Sequence, residues 1–246
     1  LSAGQTLVPL TERFSDIDIE DAYHISQAML QARLHHTKEK VVGKKIGVTS
    51  LAVQEMLGVY QPDFGFLTSA MEVANNGECP IAGNLIQPRA EAEIAFLLKQ
   101  DLQGPGVTEQ DVLNATECIM PCFEIVDSRI QDWNIKIQDT IADNASSAGW
   151  VLGEARVSPK DVDIKAIDAV LTNDGEVVAE GRSDAVLGNP VTAVAWLARK
   201  VESFGVRLRA GDIVLPGSCT RAIDAPPGSH FVAEFSGLGS VQLSFE

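Results

Sequence analysis

The chain has 246 residues, of which 45% are hydrophobic and 22% charged, and its formal net charge is −15 at pH 7. That length fits one large or two small domains and is ample to bury a core. The acidic balance argues against nucleic acids and anionic membranes as partners, because both need a basic surface. No apolar run approaches the roughly 20 residues of a membrane span.

The first 66 residues predict a small, mostly helical part. Ser15-Asp16 can cap a helix, and apolar residues then recur at helical spacing from Ile19 to Leu34. A second, short helix is expected from Leu51 to Leu57, with Gly58 as its stop. Between the two, the stretch 43–50 alternates Ile, Gly and Val after two lysines, which indicates a strand entering a loop.

Residues 67–246 predict a β-rich body. Two helices, at 108–115 and 190–204, interrupt the strands, and Asn173-Asp174-Gly175 predicts a hairpin turn. The pattern lacks regular βαβ alternation, so we expect an α+β fold. The predicted strands are Ile94–Leu98, Ile119–Val126, Trp150–Leu152, Ala166–Thr172, Val177–Ala179, Ile213–Leu215, Phe231–Phe235 and Val241–Phe245.

The spacing of the four cysteines matches no zinc or redox motif. We interpret them as buried free thiols in a reducing compartment and expect a cytoplasmic protein. They are Cys79, Cys118, Cys122 and Cys219.

Two glutamates one residue apart, Glu91 and Glu93, stand in a strand-like stretch. Residues i and i+2 of a strand share a face, and like charges paired there repel each other. Either that face is in water or a cation lies between them, and a hard divalent cation such as Mg²⁺ prefers oxygen ligands. Glu124 also interrupts an apolar run and offers a third carboxylate. Arg129 is the alternative: as an ion-pair partner it would make Glu124 or Asp127 structural.

Lys45 and Asp63 are candidate proton-transfer residues. A lysine that points inward beside a metal cluster would bind an anionic substrate, or act as acid and base if its pKa fell. Asp63 stands between Pro62 and Phe64, where an apolar setting can raise its pKa for general acid–base catalysis. The alternatives are a solvated basic turn for Lys45 and an Asx-type turn for Asp63.

Two loops are rich in small polar residues. The stretch 139–149, which contains Ser146, is either a backbone-rich binding loop or a connection. The stretch 215–221 follows a strand, and its hydroxyls, amides and guanidinium suit a carboxylate ligand. Ser218 lacks the Gly-x-Ser-x-Gly elbow of a hydrolase nucleophile. Ser146, Ser218, Thr220 and Arg221 are therefore candidates for substrate binding.

In this order, the stretches resemble the 2-hydroxypenta-2,4-dienoate hydratases of aromatic meta-cleavage pathways, within the fumarylacetoacetate hydrolase superfamily. The resemblance extends from Pro9 to the C-terminus. It implies a β-rich body of mixed sheets that form a sandwich or roll. The densest blocks are 20–26, 42–67, 85–96, 116–146 and 194–198.

The resemblance also implies roles for individual residues. Glu91, Glu93 and Glu124 match the family's ligands for Mg²⁺ or Mn²⁺, Lys45 its active-site lysine, and Asp63 the aspartate of the hydratases' Pro-Asp-aromatic-Gly motif. The implied substrate is a small anionic 2-oxo or 2-hydroxy acid. The implied assembly is a homo-oligomer, pentamer or decamer, which could bind a decarboxylase or aldolase of its pathway.

The activity implied is metal-dependent hydration of 2-hydroxypenta-2,4-dienoate to 4-hydroxy-2-oxopentanoate. The similar 2-oxo-3-hexenedioate (4-oxalocrotonate) decarboxylases carry an apolar residue where Asp63 stands, which favours hydration here. The stretch Ser218–Arg221 looks more like 2-oxohept-3-ene-1,7-dioate hydratases, in which a substrate-facing arginine would favour a second carboxylate. A non-catalytic subunit is the remaining alternative, and it would not need three carboxylates together with Lys45 and Asp63.

Overall fold

The computed structural model describes residues 4–246, which form six α-helices and twelve β-strands. The helices are α1 (Leu10–Arg13), α2 (Ile19–His36), α3 (Leu51–Leu57), α4 (Glu109–Ala115), α5 (Ile137–Ala142) and α6 (Pro190–Glu202). The strands are β1 (Val41–Gly47), β2 (Asp63–Thr68), β3 (Gly77–Cys79), β4 (Arg89–Leu98), β5 (Thr116–Val126), β6 (Ser147–Leu152), β7 (Asp168–Asn173), β8 (Glu176–Arg182), β9 (Ile213–Leu215), β10 (Ile223–Asp224), β11 (His230–Phe235) and β12 (Gly239–Phe245).

The strands form two mixed sheets. The seven-stranded sheet has the order β2-β1-β9-β4-β5-β6, with β10 paired to β4, and the five-stranded sheet has the order β3-β12-β11-β7-β8. The prediction of a β-rich α+β fold is confirmed. Strands β2 and β6 end the strand order, yet they approach each other because the larger sheet curls. That curling turns one face of the sheet inward on itself.

The two faces of the seven-stranded sheet have different surroundings. On β4, Ala92, Ile94 and Phe96 belong to the main core, which also contains residues of the five-stranded sheet and of α6. Because side chains alternate along a strand, Ala95 and Leu97 face the other way and join a smaller apolar cluster. The remaining buried members of that cluster are Leu67, Met71, Cys118, Met120, Cys122, Trp150, Ile213 and Leu215.

Helix α2 supports the strand that carries Asp63. It begins after Asp18, whose side chain accepts a hydrogen bond from the backbone N–H of Asp21, while the Asp21 carboxylate accepts one from that of Asp18. This capping box lies two to three residues later than the predicted cap. Tyr23 of α2 is buried and stacks on Phe64 of β2, with ring centroids 4.3 Å apart. The stacking fixes the start of β2 against the helix.

The range predicted as the N-terminal helical part also contributes β1 and β2 to the seven-stranded sheet. The strand predicted within 43–50 is confirmed as β1, which extends from Val41 to Gly47, whereas every residue of β2 is buried, so β2 shows no alternation. Helix α3 is confirmed at Leu51–Leu57, and Gly58 ends it with φ of 67°. Residues 1–3 of this predicted part lie outside the described residues.

Most predicted elements of the β-rich body are confirmed, with shifts of a few residues at their ends. Asp174 and Gly175 have φ of 51° and 82° and form the predicted β7–β8 hairpin turn. All four cysteines are buried and free, as expected. None of the helices within residues 4–246 is both long enough and apolar enough to cross a membrane.

Candidate active site

The antiparallel register of β4 and β5 brings the three glutamates together. Glu91 lies opposite Glu124, and Glu93 lies opposite Cys122 on the same face. One carboxylate oxygen from each glutamate lies within 4.8 Å of the others. Glu93 and Glu124 are fully buried, whereas Glu91 is partly exposed. The three carboxylates lie on the same face of the seven-stranded sheet as the smaller apolar cluster, and next to it.

The carboxylate oxygens of this cluster are poorly satisfied by the protein. Oε2 of Glu93 accepts a hydrogen bond of 3.0 Å from the backbone N–H of Gly217. Within residues 4–246, Oε1 of Glu93 and both oxygens of Glu124 accept none, although Ser147 and Lys45 approach Glu124 without hydrogen-bond geometry. Buried carboxylate oxygens without partners are costly, and three carboxylates around one point are the oxygen donor set of a hard divalent cation.

The same crowding raises the pKa of each glutamate. Burial, followed by the charge of Glu124, raises the pKa of Glu91 to about 7. Burial and the neighbouring carboxylates raise the pKa of Glu93 well above its ordinary value. Burial raises the pKa of Glu124 as well, against the opposing effect of Lys45. Without a cation, the cluster therefore holds protons that a carboxylate in water would release.

Lys45 extends from β1 to the carboxylate cluster. Its Nζ atom lies 3.2 Å from Oε2 of Glu124 and donates a hydrogen bond of 3.0 Å to the carbonyl oxygen of Ala145. Burial alone would lower the pKa of Lys45, but the charges of Glu124 and Asp63 outweigh it and the pKa is raised. Lys45 is thus an ammonium ion at neutral pH, held in place from two sides.

Asp63 begins β2 and is buried beside Lys45. Gly47 of β1 lies opposite it, and a Cβ atom added at Gly47 would be 2.3 Å from Oδ1 of Asp63 and 3.2 Å from Nζ of Lys45. Only a residue without a side chain leaves room for both groups there. Burial raises the pKa of Asp63, and Lys45 partly opposes that rise. The two predicted proton-transfer residues are therefore neighbours.

The four candidate substrate-binding residues are placed differently. The hydroxyl of Ser146 lies 3.1 Å from that of Thr140. In the loop after β9, the Ser218 hydroxyl donates to the carbonyl oxygen of Ala92 at 3.3 Å, and the Thr220 hydroxyl donates to the backbone carbonyl of Arg221. These hydroxyl groups thus have partners within the protein.

Arg221 is exposed, and its guanidinium donates a hydrogen bond of 2.7 Å to the carbonyl oxygen of Val178 on β8. A Cβ atom added at Gly181 of β8 would lie 2.0 Å from the carbonyl oxygen of Cys219, so this loop rests directly on β8. The structure therefore does not bring Arg221 together with the carboxylate cluster. Its side chain ties the loop to the edge of the five-stranded sheet.

Three residues of the site were not predicted individually from the sequence. Gly217 donates its N–H to Glu93, Ala145 offers its carbonyl oxygen to Lys45, and Ser147 approaches Glu124. The first two act through the backbone, which residue type does not reveal. The signal that the sequence offered was the two loops, 215–221 and 139–149, in which these residues lie; at the Pro216-Gly217 pair the backbone turns, with φ of 126° at Gly217.

Comparisons with known proteins identify the family of the chain. Residues 48–245 match the family model described as fumarylacetoacetate (FAA) hydrolase C-terminal. The chain is 50% identical over 246 residues to a 2-hydroxyhexa-2,4-dienoate hydratase of Comamonas testosteroni, covering 100% of this chain and 93% of that protein. It is 60% identical over 203 residues to a 2-hydroxypent-2,4-dienoate hydratase of Pseudomonas putida, covering 82% and 90%.

Among solved structures, the chain resembles the 4-oxalocrotonate decarboxylase of Pseudomonas putida G7 complexed with magnesium and adipate. The TM-score is 0.95 at 33% sequence identity, and the match covers 100% of this chain and 92% of that one. The family match extends over most of the chain, and relatives of high identity match it along nearly their whole length. The chain therefore belongs to the fumarylacetoacetate hydrolase family.

Proposed function

We propose that this protein is a metal-dependent hydro-lyase that converts 2-hydroxypenta-2,4-dienoate to 4-hydroxy-2-oxopentanoate in the degradation of aromatic compounds by meta-cleavage. The observation that carries the proposal is the buried Lys45–Asp63 pair directly beside three converging carboxylates. Two relatives of high identity that are dienoate hydratases support it. So does Asp63 itself, which supplies a proton-transfer group at a position that, as the family resemblance implies, is apolar in the decarboxylases.

Glu91, Glu93 and Glu124 would hold the divalent cation, Mg²⁺ or Mn²⁺. The magnesium complex of the decarboxylase with the same fold supports a cation of this kind. When bound, such a cation supplies Lewis-acid stabilisation of negative charge on a substrate oxygen. Three carboxylates also leave coordination positions open for a substrate that offers its carboxylate and its 2-oxygen.

Asp63 is suited to the proton transfers of the hydration. With its raised pKa it can deliver a proton to C5 of the dienol while the 2-hydroxyl proton passes to water, which gives the α,β-unsaturated 2-oxo acid. As a carboxylate it can then accept a proton from the water whose oxygen bonds to C4, and a proton returned to C3 completes 4-hydroxy-2-oxopentanoate. The Lys45 ammonium, fixed beside Glu124, can stabilise the negative charge that develops on the 2-oxygen in both steps.

Two reactions of the same fold are the competing proposals. The structural likeness to a 4-oxalocrotonate decarboxylase favours decarboxylation of 2-oxo-3-hexenedioate as the second candidate. Hydration of 2-oxohept-3-ene-1,7-dioate would require a group for the second carboxylate, and Arg221 instead binds the backbone of β8. A monocarboxylate substrate therefore fits the described residues better.

A substrate panel tests the proposed function. The purified protein is given each of the three acids with Mg²⁺, and again after chelation of metal. We expect loss of the dienol ultraviolet absorbance for 2-hydroxypenta-2,4-dienoate only, slower by about a hundredfold or more after chelation. Release of CO₂ from 2-oxo-3-hexenedioate without hydration of the dienoate would replace the proposal with its competitor. Replacing Arg221 by alanine should leave the preference among the acids unchanged.

The raised pKa values predict how metal and pH act together on stability. Because the pKa of Glu91 is about 7 rather than 4.5, the folded metal-free protein binds more protons than the unfolded chain between those pH values. Its free energy of unfolding should therefore fall as pH rises from about 4.5 to 7. Mg²⁺ binds the deprotonated cluster and stabilises the folded state by mass action. Thermal unfolding from pH 5 to 8 should show a Mg²⁺-induced rise in Tm that grows with pH.

The matched variant for this prediction is Glu91→Gln, which removes the titrating group without changing its size. Its metal-free Tm should depend less on pH, and its response to Mg²⁺ should be weaker. A rise in Tm of equal size at pH 5 and pH 8 in the unaltered protein would contradict proton-coupled metal binding.

We further propose that the protein is a cytoplasmic homo-oligomer, pentameric or decameric, and that it binds a decarboxylase or aldolase of its pathway. The family resemblance supports the oligomer and the partner enzyme, and the four free cysteines support the cytoplasmic location. Light scattering of the purified protein, alone and with such an enzyme added, measures both assemblies.

A further inference from the structure

Three consecutive residues before β6 adopt the left-handed backbone conformation. Asn144, Ala145 and Ser146 have φ of 57°, 52° and 56°. Residues with a side chain adopt this conformation unfavourably, and asparagine is the most tolerant of the three. A run of this kind persists only where surrounding contacts hold it, and such strain concentrates at functional sites. We call residues 144–146 the left-handed turn.

The side chain of Asn144 holds this turn against the sheet. Its Nδ2 atom donates to the carbonyl oxygen of Phe66 at 3.0 Å, and its Oδ1 atom accepts from the N–H of Phe66 at 2.8 Å. Phe66 lies on β2, at one end of the strand order, and Asn144 directly precedes the stretch that leads into β6 at the other end. The carboxamide thus satisfies both backbone groups of Phe66, as a neighbouring strand would.

Gly65 allows the turn to lie this close to β2. A Cβ atom added at Gly65 would be 2.3 Å from the backbone oxygen of Asn144. Gly65 is also the register partner of Lys45 on β1. The turn therefore packs against β2 at Gly65, directly opposite Lys45 on the neighbouring strand β1.

The turn presents the carbonyl oxygen that holds Lys45. Nζ of Lys45 donates to the Ala145 oxygen at 3.0 Å and lies 3.2 Å from Oε2 of Glu124. A lysine has a long flexible stem, so these two contacts fix where its ammonium group lies. Moving Ala145 would remove one of them.

We propose that Asn144 is a positioning residue for Lys45. Its paired hydrogen bonds to Phe66 hold the left-handed turn, and the turn's Ala145 carbonyl keeps the Lys45 ammonium beside Glu124. Asn144 acts through Lys45 and needs no contact with substrate. The effect on turnover rests on the proposed function, whereas the effect on the position of Lys45 does not.

Two substitutions separate the side-chain bonds from the backbone conformation. Asn144→Gly keeps the left-handed conformation accessible and removes both bonds to Phe66, and Asn144→Ala removes the bonds and disfavours the conformation. With Mg²⁺ and the dienoate, we expect both variants to lower kcat about tenfold or more while KM changes less than about threefold. Full kcat in Asn144→Gly would overturn the role of the bonds.

The matched control is Asn75→Ala. Oδ1 of Asn75 accepts a backbone hydrogen bond of 2.9 Å from Gln242 in the five-stranded sheet, so the control loses a bond of the same kind away from the site. Its kcat should stay within about twofold of the unaltered protein. A loss as large as that of Asn144→Ala would assign the effect to general destabilisation and overturn the proposal.

A double variant tests whether Asn144 acts through Lys45. If it does, Lys45→Met with Asn144→Gly should be no slower than Lys45→Met alone, because the group being positioned is already gone. A further loss of kcat in the double variant would show a separate role for Asn144 and overturn the proposal.

Two measurements do not depend on turnover. In Asn144→Gly, the Phe66 amide should exchange its hydrogen about tenfold faster or more, with Phe123 unchanged. Acetic anhydride should label Lys45 faster, while Lys44, which pairs with Asp212, is labelled as before. Unchanged exchange or unchanged Lys45 labelling would overturn the proposal. If the unaltered protein did not hydrate the dienoate, the proposed function would be refuted. Amide exchange at Phe66 and labelling of Lys45 would still decide the role of Asn144.

Discussion

Replacing Glu124 by glutamine should lower kcat for metal-dependent turnover of the dienoate about a thousandfold or more, without unfolding the protein. Glutamine has nearly the same size, so the fully buried position on β5 keeps its packing. The change removes one of three carboxylate charges around the proposed cation and the nearest anionic partner of Lys45. It also relieves repulsion with Glu91 and Glu93, whose pKa values Glu124 raises.

The variant should therefore lose activity while the metal-free protein remains at least as stable as before. Calorimetric titration with Mg²⁺ should show weaker binding, and thermal unfolding without metal should show no fall in Tm. Glu117→Gln is the control, because Glu117 is exposed on the same strand. This control variant should bind metal and turn over substrate normally. Normal Mg²⁺ affinity in Glu124→Gln would remove Glu124 from the proposed ligand set.

Replacing Asp63 by asparagine should lower kcat for hydration about a hundredfold or more, with little change in Mg²⁺ affinity. Asparagine fits the space beside Gly47 but can neither deliver nor accept the proton in the way a carboxyl group does. The three glutamates are untouched, so metal binding and substrate chelation should persist. This separation of kcat from metal affinity distinguishes a proton-transfer residue from a ligand.

Steady-state kinetics at saturating Mg²⁺, together with calorimetric titration of the same sample, measures both quantities. Asp168→Asn on β7, which is exposed in the other sheet, is the matched control and should leave kcat unchanged. If Asp63→Asn hydrated the dienoate at the normal rate, the proton-transfer role of Asp63 would be excluded. Decarboxylation of 2-oxo-3-hexenedioate would then be the better supported of the two reactions.

The parts of the site that follow from local pattern could be predicted from the sequence. Alternation along a strand places Glu91 and Glu93 on one face, and the structure has them there. The interruption of an apolar run identified Glu124 as unusual, but its position opposite Glu91 depends on the register set through the connection that contains α4. The contact of Lys45 with Glu124 depends on the curling of the whole sheet, which no local pattern encodes.

Elements without alternation or propensity signals could not be predicted. Every residue of β2 is buried, so the strand shows no period of two, and the stretch 139–149 combines α5, the left-handed turn and the start of β6 within a few residues. The Arg221 side chain points toward β8 because the carbonyl oxygen of Val178 on that strand accepts its hydrogen bond. In each case long-range packing decides the local conformation.

Strand β4 builds the main core with one face and the carboxylate cluster with the other. A one-residue insertion or deletion between Ala90 and Phe96 would exchange the two faces of the strand beyond it, placing glutamate in the apolar core or alanine among the carboxylates. Evolution and engineering can therefore vary this strand by substitution but not by changes of length. New specificity in this scaffold has to come from the segments that border the strand, where length can change without inverting the sheet.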